Sequence, residues 1–158
     1  MARELLILRH GKSDWNADVD DFDRPLKNRG KRGAQRMGVW LWRQGLRPDL
    51  VISSPAERAI TTAHKCCKSM GMMASDVVAD ERVYMASLEQ LLEVLKDAPA
   101  DAERIMLVGH NPGLEELLEY LVADAIPLPD DGKLLPTATL AHLAMPDDWQ
   151  APVSASAV

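Results

Sequence analysis

Leu5-Leu6-Ile7-Leu8-Arg9-His10-Gly11 carries four consecutive aliphatic residues straight into an arginine, a histidine and a glycine. An unbroken apolar run of this length suits a strand covered on both faces, as happens in a parallel sheet flanked by helices. Gly11 lets the backbone turn without steric penalty directly after it. Ligands of open α/β sheets gather at the carboxyl ends of strands, so Arg9 and His10 stand where chemistry is expected.

Further apolar runs predict strands over residues 49–53, 77–79, 104–108 and 137–144, beside the first over residues 4–8. Helical patterns fall between them. Residues 30–44 carry Ala34, Met37, Trp40 and Leu41 at near-helical spacing, with Lys and Arg on the remaining face. Pro55 suits the first turn of a helix over residues 56–68, and residues 87–96 and 113–122 complete the set. Strands and helices alternate from end to end, which predicts an α/β fold with a mainly parallel sheet and helices on both faces. Two stretches resist regular assignment and are long enough to be functional loops: the Asp-rich residues 13–26, and residues 124–136 with three prolines and Gly132. Residues 1–149 are expected to form one domain, and the Ala/Ser/Val/Pro tail from Gln150 has little to pack with and is expected to fray.

The 158 residues, 47% of them hydrophobic, are enough for one domain with a sizeable core. A net charge of −6 argues against a broad nucleic-acid surface, while leaving room for a local cluster of Arg and Lys that binds one anion. No basic segment leads into a long apolar one at the start, and no run reaches the ~18 apolar residues of a membrane span, so no membrane partner is expected. The adjacent Cys66 and Cys67 fall in a helical pattern, where neighbouring side chains diverge by about 100°. A bridge between them would be strained, and reduced, packed thiols in a cytoplasmic setting are expected.

Three of the predicted strands end in polar residues of one kind: Arg9-His10-Gly11, Ser53-Ser54-Pro55 and Gly109-His110-Asn111-Pro112-Gly113. Parallel strands end on the same edge, so His10, the Ser53-Ser54 turn and His110 converge there, and the first turn of the next helix brings Arg58 beside them. Two guanidinium forks and two helix N-termini suit a phosphoryl group better than a carboxylate or a metal ion. A neutral imidazole whose other nitrogen is held by an acceptor can attack phosphorus, and a second, protonated imidazole can steady the charge that builds on oxygen. Zinc binding by His10 and His110 would need further ligands at short spacing, and none is obvious.

These residues carry a resemblance. Arg9-His10-Gly11 with Ser13 and Asn16, then Ser53-Ser54-Pro55-Ala56-Glu57-Arg58-Ala59-Ile60-Thr61-Thr62-Ala63, then Gly109-His110-Asn111, resembles the histidine phosphatase (phosphoglycerate mutase-like) superfamily across residues 5–145. The short chain, with Asp21-Phe22-Asp23-Arg24-Pro25-Leu26 ahead of the Gly30 helix, is similar to its SixA-type phosphohistidine phosphatase branch. The resemblance implies a three-layer α/β/α sandwich and an enzyme in which His10 is the nucleophile, transiently phosphorylated and then released by water. Arg9, Arg58 and His110 would bind and stabilise the transferred group, and Asn16 matches a position that contacts phosphate in larger members. No cofactor and no metal are implied. For the proton donor, the family's glutamate-bearing segment is matched in part by Asp80-Glu81-Arg82-Val83-Tyr84, which makes Glu81 the first candidate and Asp21 the second. A phosphohistidine substrate lessens the need for any acid, because imidazole leaves with an ordinary pKa near 6.5.

The expected function is therefore a metal-independent phosphatase acting on a protein phosphohistidine; a small-molecule phosphomonoesterase and a non-catalytic phosphoprotein-binding module are the alternatives. Little chain is available for a lid, and an open pocket favours a protein side chain over a small metabolite. His64 is expected at the surface or in packing, His142 in the sheet, and Lys27, Arg29, Lys31 and Arg32 on a solvated face that can also guide a phosphoprotein. Trp15 is expected to wall the pocket and Trp40 to join the core.

Overall fold

The opening apolar run becomes the strand β1 (Arg3–Arg9), and its side chains divide by the two-residue period of a strand between two cores. Leu5 and Ile7 enter one, Leu6 and Leu8 the other, and all four are fully buried. Burial of each such side chain contributes about 1.5–3 kcal/mol of transfer free energy, which explains why the run tolerates no polar residue. The protein is seen here in a computed structural model that describes residues 3–122, 135–137, 139–145, 149 and 156–157.

Along the chain follow α1 (Asn28–Arg43), β2 (Leu50–Ser53), α2 (Glu57–Ser69), β3 (Val77–Ala79), α3 (Leu88–Lys96), β4 (Arg104–Gly109), α4 (Gly113–Leu121), β5 (Leu140–Met145) and β6 (Ser156–Ala157). The sheet order is β3-β2-β4-β1-β5-β6, parallel from β3 to β1 and antiparallel at β5 and β6. Leu41 of α1 and Ala59, Ala63, Cys66 and Cys67 of α2 cover the face of Leu6, Leu8, Met106 and Val108. Leu91, Val94 and Leu95 of α3, with Leu114, Leu117 and Leu121 of α4, cover the face of Leu5, Ile7, Ile105 and Leu107. Three layers result, helices on either face of one sheet.

The strand expected over residues 137–144 begins only at Leu140. Thr139 N–H bonds back to the Pro136 carbonyl, and this turn keeps Thr137 out of the strand. Of the tail, Ser156 and Ala157 pair with Ala144 and Leu143, while residues 150–155 and 158 lie outside the described residues. So do residues 123–134, most of the second expected functional loop. The first, residues 13–26, is tied across its base by a Ser13–Leu26 bridge and contains a 3-10 turn at Asp21–Asp23.

Trp40 is a correction: it is exposed rather than in the core. The buried stripe of α1 is Gly30, Ala34, Gly38 and Leu41, and Trp40 sits about 100° around the helix from Leu41. Cys66 and Cys67 are free and buried, and burial pushes their thiols up to about 12 and about 11.

Two glycines set the height of the helix over the site loop. A Cβ on Gly11 would come within 2.8 Å of the Gly30 carbonyl oxygen, and one on Gly30 would strike the Lys12 backbone. Gly30→Ala is therefore expected to cost about 1–3 kcal/mol, since only a backbone shift makes room. Chemical denaturation measures it; an unchanged midpoint would show that the two segments part easily.

Candidate active site

His10 ends β1 and is 6% exposed. Its backbone N–H bonds to the Gly109 carbonyl at 3.1 Å, and its Nδ1 lies 2.7 Å from the Gly11 carbonyl oxygen. A carbonyl only accepts, so Nδ1 carries the proton and Nε2 keeps the lone pair. Gly11 N–H in turn donates to Thr62 Oγ1 at 3.0 Å, and the Thr62 hydroxyl donates to the Arg58 carbonyl at 2.7 Å. One chain of hydrogen bonds thus fixes His10 relative to the helix that bears Arg58. Burial, opposed by the Gly11 carbonyl and assisted by the Arg58 and Arg9 cations, pulls the His10 pKa from 6.5 down to about 4.

His110 follows β4, with its ring centroid 5.1 Å from that of His10. Its Nε2 lies 2.7 Å from Ser54 Oγ, which also accepts from Ala56 N–H at 3.2 Å. Burial first, then the neighbouring His10 and Arg58, lowers its pKa to about 3. Its Nδ1 is buried with no hydrogen-bond partner among the described residues, and the same holds for Nε of Arg9 and Nε of Arg58. Buried donors left without partners are costly, and a tetrahedral oxyanion supplies what the two guanidinium Nε–H groups lack.

Asp21 answers part of this positive charge. Its carboxylate accepts from Arg24 at 2.7 Å, from Arg58 at 3.1 Å and from the Tyr84 hydroxyl at 2.6 Å, while its carbonyl accepts from Arg58 at 2.6 Å. The Tyr84 hydrogen bond and the Arg58 cation hold its pKa at about 2, so Asp21 is ionised and cannot donate a proton. Arg24 is buried, bonded through Nε to Ser13 Oγ and stacked 3.6 Å from the centre of the exposed Trp15 ring. Arg9, His10, Arg58 and His110 line a single cavity of about 460 Å³, which Lys12, Ser13, Trp15, Asp21, Arg24 and Asn111 also border.

Two expected residues lie elsewhere. Asn16 is exposed and does not border the cavity. Glu81 is exposed too, because Asp80 caps its turn through Arg82 N–H and the Arg82 guanidinium ties Asp80 to Asp97, leaving Val83 as the buried residue. Tyr84 is the residue that this segment sends to the site, bonded to Asp21 and 5.7 Å from the His110 ring. Arg24, Tyr84, Ser54 and Thr62 have no role that spacing or residue type announces, although all four lie inside quoted motif stretches, the one signal that marks them. His64 does not border the cavity, and His142 sits on β5 bonded to Glu4 at 2.7 Å. Among the described residues no three His, Cys, Asp or Glu side chains are grouped to share a metal ion, and no helix is long and apolar enough to cross a membrane.

The two imidazoles are expected to titrate far below an ordinary histidine in the anion-free protein. Nitrogen-detected NMR should give midpoints near 4 for His10 and near 3 for His110, and midpoints near 6.5 would contradict the burial account. As pH falls below about 6.5 the unfolded chain takes up protons that these folded imidazoles refuse, which favours unfolding. Their stabilising contribution is whole above that pH and is lost as pH falls toward their folded values.

Residues 5–84 match the family model of the histidine phosphatase superfamily (branch 1). An uncharacterised chloroplastic protein of Arabidopsis thaliana is 31% identical over 137 residues, covering 81% of this chain and 63% of that protein. The chain thus spans less than two thirds of that plant relative. An uncharacterised protein of Mycobacterium tuberculosis is 30% identical over 147 residues, with 90% of this chain and 89% of the relative covered. Among solved structures, a protein named as phosphohistidine phosphatase SixA from Nakamurella multipartitia superposes with a TM-score of 0.81 at 29% identity, covering 99% of this chain and 92% of that one. By its matched motifs and by this architecture, the chain belongs to the histidine phosphatase superfamily, branch 1, and is of the SixA type.

Proposed function

We propose that the protein removes phosphoryl groups from phosphohistidine on a partner protein, without a metal ion, through a phosphohistidine formed on its own His10. The observation that carries this is the pairing of a neutral His10, whose Nδ1 is held by a carbonyl, with guanidinium Nε–H groups of Arg9 and Arg58 and a His110 ring nitrogen that lack partners among the described residues. The Nε2 lone pair attacks phosphorus, and the phosphorus–nitrogen bond to the substrate imidazole breaks, its electron pair staying with that ring, which enters protonated on its other nitrogen and so leaves as neutral imidazole. Arg9 and Arg58 hold the non-bridging oxygens, and His110, protonated as the dianion enters, steadies the charge through Nδ1–H. Water then attacks phosphorus, the bond to His10 Nε2 breaks with its electrons returning to the ring, and phosphate departs carrying the oxygen of that water.

Substrate choice rests on the want of an acid at the cavity among the described residues. Asp21 is ionised and Glu81 stands away from the cavity, so no described carboxylic acid is placed to protonate an alkoxide. Imidazole needs far less help to leave. A panel comparing phosphohistidine peptide with sugar phosphates and p-nitrophenyl phosphate tests this choice, and preferential turnover of a sugar phosphate would replace it with the small-molecule reading. Glu81→Gln is expected to leave turnover of both substrate types unchanged; selective slowing of alkyl phosphates would restore Glu81 as the acid. Dialysis against a chelator should leave phosphate release intact, and loss restored by a divalent ion would overturn metal independence. The buried, unbridged Cys66 and Cys67 support a cytoplasmic location.

A further inference from the structure

The site opens onto a groove that runs between α1 and β5, and its floor changes character with distance from His10. Lys12 and Thr137 border both the catalytic cavity and the next stretch of groove, where Arg29 and Arg36 join them. Gly33 and Arg36 then carry the groove on to Met37, Trp40 and Leu140. Arg29, Gly33, Arg36 and Trp40 are spaced by four, three and four residues, which places them in one stripe along α1. The absence of a side chain on Gly33 keeps the stripe open between the two arginines. From Arg29 to Trp40 the helix rises about 16 Å.

Two properties of this groove bear on what it can bind. The chain carries a net charge of −6, yet Lys12, Arg29 and Arg36 make no ion pair with any described acidic residue. The far end offers Trp40, about half exposed, beside Met37 and Leu140. Charge next to the phosphate site and an apolar end beyond it describe the complement of a particular ligand.

We propose that the groove docks a segment of the phosphorylated partner protein that carries acidic residues beside the phosphohistidine and an aliphatic residue about 16 Å further along. The proposal rests on the phosphohistidine reading of the site and names the substrate features that Arg29, Arg36 and Trp40 select. Acidic residues meet the cationic stretch, which speeds encounter and fixes register, and the aliphatic residue covers the Trp40 ring.

The test uses synthetic peptides bearing a non-hydrolysable phosphonate analogue of phosphohistidine, flanked on both sides either by glutamates with a terminal leucine or by serines only. Fluorescence anisotropy reads their binding to the full chain. The acidic peptide should bind at least about tenfold more tightly than the serine peptide, with the advantage shrinking as salt rises. Arg29→Ala/Arg36→Ala should erase the salt-sensitive part of that advantage, and Trp40→Ala the part that survives high salt. Equal affinities for the two peptides, or an advantage that survives both variants, would overturn the proposal. So would sedimentation showing a dimer in which Trp40 is covered by a second copy. Groove-dependent binding without release of phosphate from a phosphohistidine peptide would keep the docking surface and remove the phosphatase reading; turnover without peptide discrimination would do the reverse.

Discussion

His10→Ala is expected to lower phosphate release by at least about 10⁴-fold, the scale seen when a covalent nucleophile is removed from a catalytic unit. The expectation follows from the ring's surroundings. Gly11 carbonyl holds Nδ1, burial and two guanidinium groups keep the ring neutral, and Nε2 is left with its lone pair at the mouth of the phosphoryl site. Alanine removes that atom while leaving Arg9, Arg58 and His110 in place, so the variant should still bind inorganic phosphate or vanadate. Loss of turnover together with retained anion binding separates chemistry from folding. A variant that turned over at the wild-type rate would mean that water attacks the substrate directly.

Arg58→Ala is expected to reduce kcat/KM by about 10²–10³-fold, as when one donor to the transition-state charge is lost from a preorganised site. Arg58 is 6% exposed, its Nε is unpartnered, and two of its nitrogens reach Asp21. Its removal therefore acts twice: it takes a fork from the phosphoryl oxygens, and it leaves Asp21 leaning on Arg24 and Tyr84 alone, an anion nearer to the incoming anion. Arg58→Lys should recover only a small part, because an ammonium cannot span two oxygens and Asp21 together. Circular dichroism should show both variants folded, and full activity in the lysine variant would show that charge alone is required.

The sheet and the edge that carries the phosphate-binding residues are legible in the sequence because both depend on local periodicity. Leu5 to Leu8 had to be buried on both faces, and parallel pairing then forced Arg9-His10, Ser53-Ser54 and Gly109-His110 onto one edge; the registers of β1, β4 and β2 do this. Arg58 came with them because α2 starts directly after Ser54-Pro55. What remained hidden depends on how loops fold back. Asp21 meets Arg58 across 37 positions and Tyr84 across 63, and no spacing announces such a meeting. Glu81 was attractive as a residue type, but the Asp80–Arg82–Asp97 ion pairs set the turn that keeps it outside. Trp40 fitted an apolar pattern on α1, whereas the tight approach to α2 at Gly38 chose a different stripe for burial.

On the proposed mechanism phosphorus passes through Nε2 of His10. Intact-protein mass spectrometry of a reaction quenched in alkali, followed by peptide mapping and phosphorus NMR, tests it most directly. The expected result is an acid-labile adduct of one phosphoryl group, located on Nε2 of His10 and absent from His10→Ala. Steady turnover with no such adduct at any quench time, or an adduct on another residue, would contradict it.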